Sequence, residues 1–368
     1  MGLLSFLNKR EALVSIDVGS TGIRLIELDL RHGRPKVVNF GFAQLSGDIF
    51  AGNSISKSEL VAENLTGLLE SLAVTDKRAV TAVPAPSVFT KRVKMAKVPA
   101  NELRSTIYFE AGNFIPHNID AVKLDYHVVG ESTKNQLDVI LVAVKNEVID
   151  SYTDTLALSG LETAVVDVDY FAVQNIFELA HPELVERTVA LVNIGARFCA
   201  INIVSNGESL FTGDIAIGGK IFTDAIAEVL SISPQEAEEV KRQMGKPGKK
   251  DDSVQAILND SVQDIIERNV EYMASELNRQ ITFFWNASGS EGAIDCIVVT
   301  GGGALIPGLI EDIKEKTGLE TLLLDPIPTV DFADGIDQTK FREMANSLSV
   351  CLGLGLRQAG DRELPDIF

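Results

Sequence analysis

The feature that most constrains the fold is a pattern that occurs twice in the chain. Residues 12–45 contain an apolar strand, a glycine turn, a second strand, another turn and a third strand. The same order returns in residues 188–219, about 180 residues further along. Because a small sheet must cover its apolar faces with other elements, this duplication predicts two related lobes, each built on its own sheet.

Helical periods alternate with strands along the rest of the chain, which predicts an α/β protein. Leucine spacing indicates a helix over 57–73 with Ser58 as its N-cap. A separate group of strands and one helix follows Pro84. The remaining predicted elements are strands at 79–84, 89–98, 123–130, 137–144, 163–169 and 297–299, and helices at 101–114, 146–158, 222–244 (in two pieces), 254–284 and 345–359, with one more after the glycines of 301–303.

Charge and apolar runs exclude several classes of protein. The 368 residues include 33 Lys and Arg against 52 Asp and Glu, for a net charge of -19. General nucleic-acid binding is therefore excluded, because it requires a basic face. The chain contains no apolar run long enough for a transmembrane helix, and the opening MGLLSFLNKR has the reverse order of a signal peptide. We expect a cytoplasmic protein.

Cysteine and histidine spacing indicates no metal or disulfide chemistry. The three cysteines, Cys199, Cys296 and Cys351, lie far apart in the sequence, and the four histidines do not cluster. A zinc site, a disulfide framework and Cys–His catalysis are therefore not expected.

The turn of the first copy, Asp17–Gly22, has the composition of an anion site. Its glycines and hydroxyl residues, Gly19, Ser20, Thr21 and Gly22, would present backbone N–H groups and side-chain donors to a phosphate. Asp17 suits an outer-sphere role on magnesium, and Arg24 can return to a phosphate with its guanidinium. A plain β-turn rich in glycine and serine is the alternative.

Two later turns repeat this chemistry in weaker form. Asn193, Gly195 and Ala196 occupy the equivalent turn of the second copy. Thr300 is followed by Gly301, Gly302, Gly303 and Ala304, between an apolar strand and a helix, where backbone can approach a ligand closely. This turn lacks the Lys-Ser/Thr of a P-loop and the spacing of a dinucleotide fold. Close strand–helix packing is the alternative for these glycines.

Two groups of charged residues each leave two interpretations open. Glu238 and Lys241 are three residues apart on a predicted helix, so they either clamp a ribose or form an exposed ion pair. The strand around Lys91–Lys97 alternates apolar and basic residues. It either faces an acidic partner or is a sheet edge protected by lysines.

The order of these motifs resembles the actin-like ATPase superfamily. A DxGSTG hairpin, an xxGA hairpin, the pair Gly218–Gly219, an AExxK helix and a TGGGA turn follow one another as they do there. Within the superfamily the chain is most similar to the PilM family of type IV pilus assembly proteins. The similar stretches are IDVGSTGIRLIEL (16–28), FIPHNIDAVKLDYHVVG (114–130), LDVILVAVKNEVIDSY (137–152), SGLETAVVDVDYFAVQN (159–175), DIAIGGKIFTDAI (214–226), EAEEVK (236–241) and GLGLR (353–357).

The resemblance implies a two-lobed actin-like α/β fold with an inserted subdomain of the 1C type, as in FtsA. Residues 1–185 and 340–368 would form the first lobe, with 1C at about 81–155. Residues 186–339 would form the second lobe, with a 2B-type subdomain at about 235–290.

The resemblance also implies bound ATP and magnesium. Asp17, Gly19 to Gly22 and Arg24 would hold phosphates from one lobe, with Asp17 reaching the metal through water. Asn193, Gly195 and Ala196 would hold phosphates from the other lobe. Gly218 and Gly219 would also bind the nucleotide. Glu238 and Lys241 would hold the ribose, and Gly301, Gly302, Gly303 and Ala304 the adenosine.

Two departures from the family pattern bear on hydrolysis. Asn193 stands where the superfamily usually has Asp, which predicts slow or absent turnover with binding retained. Gly213 stands where PilM-like chains often have Arg, so that a contact is missing. No residue is therefore assigned a catalytic role.

By the same resemblance, the chain would be a cytoplasmic scaffold recruited to the inner face of the cytoplasmic membrane. Its partner would be the N-terminal cytoplasmic peptide of the inner-membrane protein PilN and the pilus alignment complex to which PilN belongs. A filament-forming division ATPase like FtsA and a sugar-kinase-like phosphotransferase are the alternatives. Self-association and the particular pilus or secretion system stay open.

Overall fold

The structure is a computed structural model that describes residues 13–31, 33–244, 260–287 and 293–358. The predicted turn at His32, the predicted loop 244–253 after its first residue, the part of the predicted long helix before residue 260 and the last residues of the chain lie outside these ranges. By its internal contacts the chain divides into two compact units. The first unit comprises Met1–Ala172, Val330–Ile336 and Cys351–Phe368, and the second Val173–Thr329 and Asp337–Val350.

The chain passes between the two units at four points, and two of these fall inside helices, where no turn in the sequence marks them. The sequence-based boundaries at 185/186 and 339/340 rest on turn residues and on the start of the second copy. The internal contacts change at 172/173, inside the helix Asp169–Ala180, and at 350/351, inside the helix Ser349–Gly355, as well as at 329/330 and 336/337.

The strands of the described residues include the predicted ones in the predicted order, together with four short strands that were not predicted, at Phe50–Ala51, Ser54–Ile55, Glu320–Leu323 and Asp331–Phe332. They are β1 (Val14–Gly19), β2 (Gly22–Asp29), β3 (Lys36–Gln44), β4 (Phe50–Ala51), β5 (Ser54–Ile55), β6 (Arg78–Val83), β7 (Val88–Ala96), β8 (Val122–Thr133), β9 (Gln136–Lys145), β10 (Glu162–Val168), β11 (Val189–Ile194), β12 (Cys199–Ser205), β13 (Glu208–Ile215), β14 (Cys296–Thr300), β15 (Glu320–Leu323) and β16 (Asp331–Phe332).

The helices of the described residues cover the sheets. They are α1 (Ser58–Ser71), α2 (Ala100–Ala111), α3 (Asn146–Leu158), α4 (Asp169–Ala180), α5 (Lys220–Leu230), α6 (Pro234–Met244), α7 (Asp260–Ala287), α8 (Leu309–Thr317), α9 (Gln338–Met344) and α10 (Ser349–Gly355). The helices α4 and α9 were not predicted, and two predictions are corrected. Ser58 is the first residue of α1, preceded by Lys57 without a side-chain cap. The predicted helix 345–359 begins as a 3₁₀ turn, Ala345–Leu348, and becomes α-helical at Ser349.

The main sheet of the first unit has the strand order β10-β6-β1-β2-β3-β16. β1, β2 and β3 form the antiparallel meander predicted for the first copy, and β6 and β10 extend it in parallel. Apolar residues of β1 and β2 such as Ile16, Ile23 and Leu25 are fully buried. The sheet of the second unit repeats this plan with the order β13-β12-β11-β14-β15.

A third sheet, β7-β9-β8, carries its own core within the first unit. Leu103, Ile107 and Ala111 of α2 pack on the face that holds Val93 and Val139. β7 pairs with β9 on one side only, so it is an edge strand, as the second interpretation of its lysines required. We call residues 88–145 the inserted subdomain.

One side-chain contact ties the inserted subdomain to the rest of the first unit, and two further hydrogen bonds lie beside it. The Thr90 hydroxyl of β7 lies 2.6 Å from the Tyr170 hydroxyl of α4. The Ala85 backbone N–H, just before β7, donates to Asp169 at 3.1 Å. Next to these, Arg357 donates to Asp167 at 2.6 Å. The motif VDVDYF and the final GLGLR are therefore parts of one junction.

The cysteines lie inside the two units. Cys199, Cys296 and Cys351 are all buried, with free thiols. Burial raises the pKa of Cys199 and of Cys351 to about 12, and it also raises the pKa of Cys296. Every helix in the described ranges is too short or too polar to span a lipid bilayer.

Candidate functional site

The turn of the first copy is organised by Arg24. Its guanidinium donates to Oδ2 of Asp17 at 3.2 Å, to the Thr21 hydroxyl at 3.2 Å and to the Gly22 carbonyl at 3.3 Å. Burial raises the pKa of the Asp17 carboxyl, and the Arg24 guanidinium acts in the opposite direction. Arg24 thus links three residues of the turn, one of them the carboxylate of Asp17 on β1. A plain β-turn has no such side-chain bonds across it.

Gly22 is needed in this turn for close packing. A Cβ on Gly22 would lie 2.5 Å from the carbonyl oxygen of Ala43 and would collide with the Phe42 ring. Arg24 also lies over that ring, with its guanidinium carbon 5.7 Å from the ring centroid. The Phe42 side chain and β3 therefore fix both the backbone of the turn and the position of the arginine.

In the second unit, two turns are hydrogen-bonded to each other. The Gly219 N–H donates to the Gly195 carbonyl at 2.8 Å, and the Lys220 N–H donates to the Ala196 carbonyl at 2.9 Å. A Cβ on Gly218 would lie 2.5 Å from the Ala196 carbonyl oxygen. The sequence-predicted residues Gly195, Ala196, Gly218 and Gly219 therefore form one double turn.

The buried Lys241 side chain is hydrogen-bonded to the backbone of this double turn. It is only 9% exposed, and its ammonium donates to Glu238 at 2.5 Å, to the Thr223 hydroxyl at 2.8 Å and to the Gly219 carbonyl at 3.2 Å. Burial lowers the pKa of Lys241, and Glu238 raises it. The interpretation as an exposed ion pair is therefore wrong, since Lys241 holds the backbone of the glycine turn.

The glycines after β14 pack on the end of β11. Gly301 has a φ of +88°, and a Cβ there would lie 2.5 Å from Oδ1 of Asn193 and 2.5 Å from the Ile194 carbonyl. A Cβ on Gly303 would collide with Ile194. The alternative of close packing is thus correct for Gly301 and Gly303, whereas Gly302 has open space around it.

The second unit therefore brings its predicted residues into one region. Gly219 lies between the Lys241 ammonium and the backbone of Gly195 and Gly303, with each 3.5 to 3.7 Å from the Cβ position of Gly219. Asn193 joins the group through Gly301. The predicted residues of the first copy, Asp17 to Arg24, form a separate group in the first unit. What each of these residues binds stays a prediction.

Thr223 belongs to the second group and was missed in the sequence. Its hydroxyl donates to Glu238 at 2.7 Å and accepts from Lys241, and it links α5 to α6. The signal was present, because Thr223 lies one helical turn after Gly219 and thus faces the same end of α5. Which residues of α6 it meets depends on helix packing, and the sequence does not state that packing.

Comparison with known proteins identifies the fold and the family. A family model described as "Type IV pilus assembly protein PilM" matches residues 15–359. A solved chain described as "PilM-PilN type IV pilus biogenesis complex" is 22% identical, covers 95% of this chain and 98% of its own, and has a TM-score of 0.81. The ethanolamine utilization protein EutJ from Carboxydothermus hydrogenoformans is 16% identical, with coverages of 94% and 89% and a TM-score of 0.56.

These findings confirm the predicted two-lobed actin-like fold and the predicted family. They do not favour the FtsA-like filament or the sugar-kinase alternative. Because the family model matches residues 15–359, this chain belongs to the type IV pilus assembly protein PilM family.

Proposed function

We propose that this protein is an ATP-binding scaffold of type IV pilus biogenesis that binds the N-terminal cytoplasmic peptide of the inner-membrane protein PilN. The observation that carries the proposal is the family match over residues 15–359. A chain with the same fold has been solved in a complex described as PilM-PilN, which supports the choice of partner. The scaffold would be cytoplasmic and would reach the inner face of the cytoplasmic membrane through PilN.

The glycine turns support the nucleotide part of the proposal. In the first unit, Gly19, Ser20, Thr21 and Gly22 would bind phosphates, with Arg24 completing the charge. In the second unit, the double turn would offer the backbone N–H groups of Ala196 and Gly218, since the Gly195 N–H already donates to the Phe198 carbonyl. Such backbone groups bind anions without a long flexible side chain. Gly302 and Ala304 would lie against the adenosine, and Glu238 would accept from the ribose.

Magnesium fits the donor set of the first turn. Mg²⁺ keeps several waters and usually takes one or two carboxylates beside phosphate oxygens. Asp17 offers one carboxylate at the base of the phosphate turn, with Arg24 bonded to only one of its oxygens at 3.2 Å. When bound, the ion would neutralise phosphate charge. Asp17 would orient its waters.

Asn193 makes slow hydrolysis the expected behaviour. The amide keeps hydrogen bonding but cannot take up a proton as a carboxylate does. Positioned proton-transfer groups contribute about 10²- to 10⁴-fold in rate. We therefore propose that nucleotide acts on this protein by binding, and that turnover, where it occurs, is slow.

The peptide would bind between the inserted subdomain and the rest of the first unit. The sheet face away from α2 carries Thr90, Val142 and His127, and it turns toward Tyr170 and Arg357. β7 is an edge strand whose second side has no strand neighbour among the described residues. An extended peptide that pairs its backbone and buries alternate apolar side chains is a known mode for such a surface.

The test is calorimetric titration of the full chain with a synthetic PilN N-terminal peptide. We expect saturable one-to-one binding. Val142→Asp places a charge on the proposed docking face and should weaken binding at least tenfold. Phe109→Ser is the matched control, because Phe109 is 80% exposed on the outer face of α2 and should not contact the peptide. Absence of binding by the wild-type chain would overturn the partner assignment.

Coupling between nucleotide and partner is tested separately. If nucleotide biases the conformation that binds PilN, peptide affinity must differ with and without Mg-ATP, because a ligand shifts an equilibrium only through differential affinity. Equal affinity in the two conditions would exclude the coupling and leave the scaffold proposal intact.

A further inference from the structure

The long helix α7 of the second unit carries apolar side chains on two of its sides. One side packs into the core of that unit through Met273, Leu277 and Ile281. The other side carries Tyr272 and Phe283, which are 54% and 62% exposed. Eleven residues make about three turns of an α-helix, so these two aromatic residues lie on the same side of α7, about 16 Å apart along its axis.

This arrangement differs from that of the other exposed aromatic residues. Four aromatic residues are exposed in the described ranges, two on α2 and two on α7. Tyr108 and Phe109 of α2 are neighbours in the sequence, so they point about 100° apart around the helix. The Tyr108 hydroxyl also donates to the Leu124 carbonyl at 2.9 Å. The aromatic residues of α7 instead share one surface, and exposed apolar side chains that share a surface mark interaction sites.

One acid and one base lie between the two aromatic residues of α7. Glu276 is four residues after Tyr272, and Arg279 is four residues before Phe283. The Arg279 guanidinium donates to both carboxylate oxygens of Glu276, at 2.9 and 2.6 Å. Glu276 raises the pKa of Arg279, and Tyr272 adds to this effect from beside the pair. We call these four residues the α7 stripe. Its middle is neutral, within a chain of net charge -19.

The α7 stripe is complementary to itself when the helix is reversed. Its spacing of four, three and four residues is the same from either end. In an antiparallel pair of two copies, with the twofold axis midway along the stripe, Tyr272 of each copy would lie opposite Phe283 of the other. Glu276 of each copy would lie opposite Arg279 of the other. Such a symmetric contact uses the same patch on both copies, and it joins aromatic to aromatic and acid to base.

The electrostatics and the size of the α7 stripe suit a weak contact between copies. Two acidic chains repel each other, and that repulsion is small where the stripe is neutral. Glu271, a carboxylate on its flank, is already paired with Lys316 at 2.9 Å. Four aromatic side chains, each a little over half exposed, would bury roughly 400–500 Å². A stable interface buries about 1,200–2,000 Å², so we expect a dimer that dissociates on dilution.

We propose that the α7 stripe is the contact surface of a symmetric homodimer in which the α7 helices of two copies pack antiparallel. The occupant of this surface is a second copy of the chain, because the stripe supplies both halves of every pairing in that arrangement. The inference concerns the second unit alone. It depends neither on nucleotide binding nor on the peptide partner.

Sedimentation velocity of the full chain over a dilution series, from about 500 to about 5 µM, measures the association. We expect the mass to rise with concentration from 39.8 kDa, that of one chain, towards twice that value. Association should strengthen at higher salt, because salt screens the repulsion between acidic copies. Phe283→Ser removes two of the four aromatic side chains, and it should raise the dissociation constant at least tenfold. Phe109→Ser is the matched control and should associate as the wild type does.

Exchange of the charges in the middle of the stripe tests the pairing itself. Glu276→Arg gives a copy with two cations there, and Arg279→Glu gives a copy with two anions. Each variant alone should associate less than the wild type, because like charges then face each other. An equimolar mixture of the two variants should form a heterodimer, since every facing pair then has opposite charges.

Three results would overturn the inference. The first is a wild-type chain that stays monomeric at the highest concentration. The second is a dimer whose dissociation constant is unchanged by Phe283→Ser. The third is a pair of charge variants that associate no better when mixed than when apart.

Discussion

At the scale of single residues, Lys241 makes three hydrogen bonds beneath the double turn, and its contribution to stability can be tested directly. Lys241→Met removes the donor to Glu238, to Thr223 and to the Gly219 carbonyl. Because these acceptors are partly or fully buried, we expect a loss of about 2 to 3 kcal/mol. Thermal unfolding should show a melting temperature lower by roughly 4 to 12 °C.

Lys316→Met serves as the control for this prediction. Lys316 pairs with Glu271 at 2.9 Å on the surface, where ion pairs contribute little. Its melting temperature should match that of the wild type. If both variants melt together, Lys241 does not support the turn in the way that its contacts indicate.

The half-buried carboxylate of Asp214 gives a prediction about stability and its dependence on pH. Burial raises its folded-state pKa, so the folded state disfavours the ionised form. Asp214→Asn should therefore stabilise the second unit at neutral pH, where the wild-type carboxylate is charged in both states. The gain should shrink as pH falls through the raised folded pKa toward the ordinary value of 3.8, because both states are then protonated. Melting curves between pH 7 and pH 4 measure this difference, and a constant difference would contradict it.

At the scale of elements, the adjacent glycines Gly301 and Gly302 in the turn after β14 differ in how much space surrounds them. Gly301→Ala forces a side chain into a φ of +88° and against Asn193 and Ile194. We expect a cost of at least about 2 kcal/mol and weaker nucleotide binding. Gly302→Ala meets open space and should change stability little. Melting temperature and ATP titration of the pair measure both effects, and equal behaviour of the two variants would refute the assigned packing.

The same elements indicate what sequence can and cannot predict here. The order of strands and glycine turns was predicted because hydrophobic alternation and glycine spacing are local signals. The burial of Lys241 was not, since an (i, i+3) Glu–Lys pair looks the same on an exposed helix. Only the packing of α6 against α5, which brings Thr223 beneath Lys241, makes the pair internal. The change of internal contacts at 172/173 likewise has no local signal in the sequence, because a continuous helix crosses it.

At the scale of the whole molecule, the proposed nucleotide binding should protect the turns of both copies from hydrogen exchange. Hydrogen exchange measured by mass spectrometry should slow on addition of Mg-ATP in residues 17–24 and also in residues 193–196 and 301–304. Backbone N–H groups that bind phosphate cannot exchange freely, which is the physical reason. Peptides from the outer face of α2 serve as the internal control. Protection in only one unit would show that the two copies do not share the ligand.

The charge of the molecule is unevenly distributed between its parts. The inserted subdomain has eight Lys and Arg against six Asp and Glu, within a chain of net charge -19. Several of these cations are already engaged, as Arg92 is with Asp138 at 2.6 Å and Lys91 is with the Phe114 ring. The inserted subdomain is therefore close to neutral, whereas the rest of the chain is acidic. An acidic partner would meet less electrostatic repulsion at the inserted subdomain than elsewhere on the protein.

The burial of all three cysteines makes the chain suitable for site-specific labelling at an introduced cysteine. The three native thiols are buried, and two of them have pKa values of about 12. Maleimide reagents at neutral pH should therefore not react with them. A single cysteine introduced on each unit would then carry a fluorophore or a spin label without prior removal of native thiols. Distances between such labels, with and without Mg-ATP, would report domain motion directly in solution.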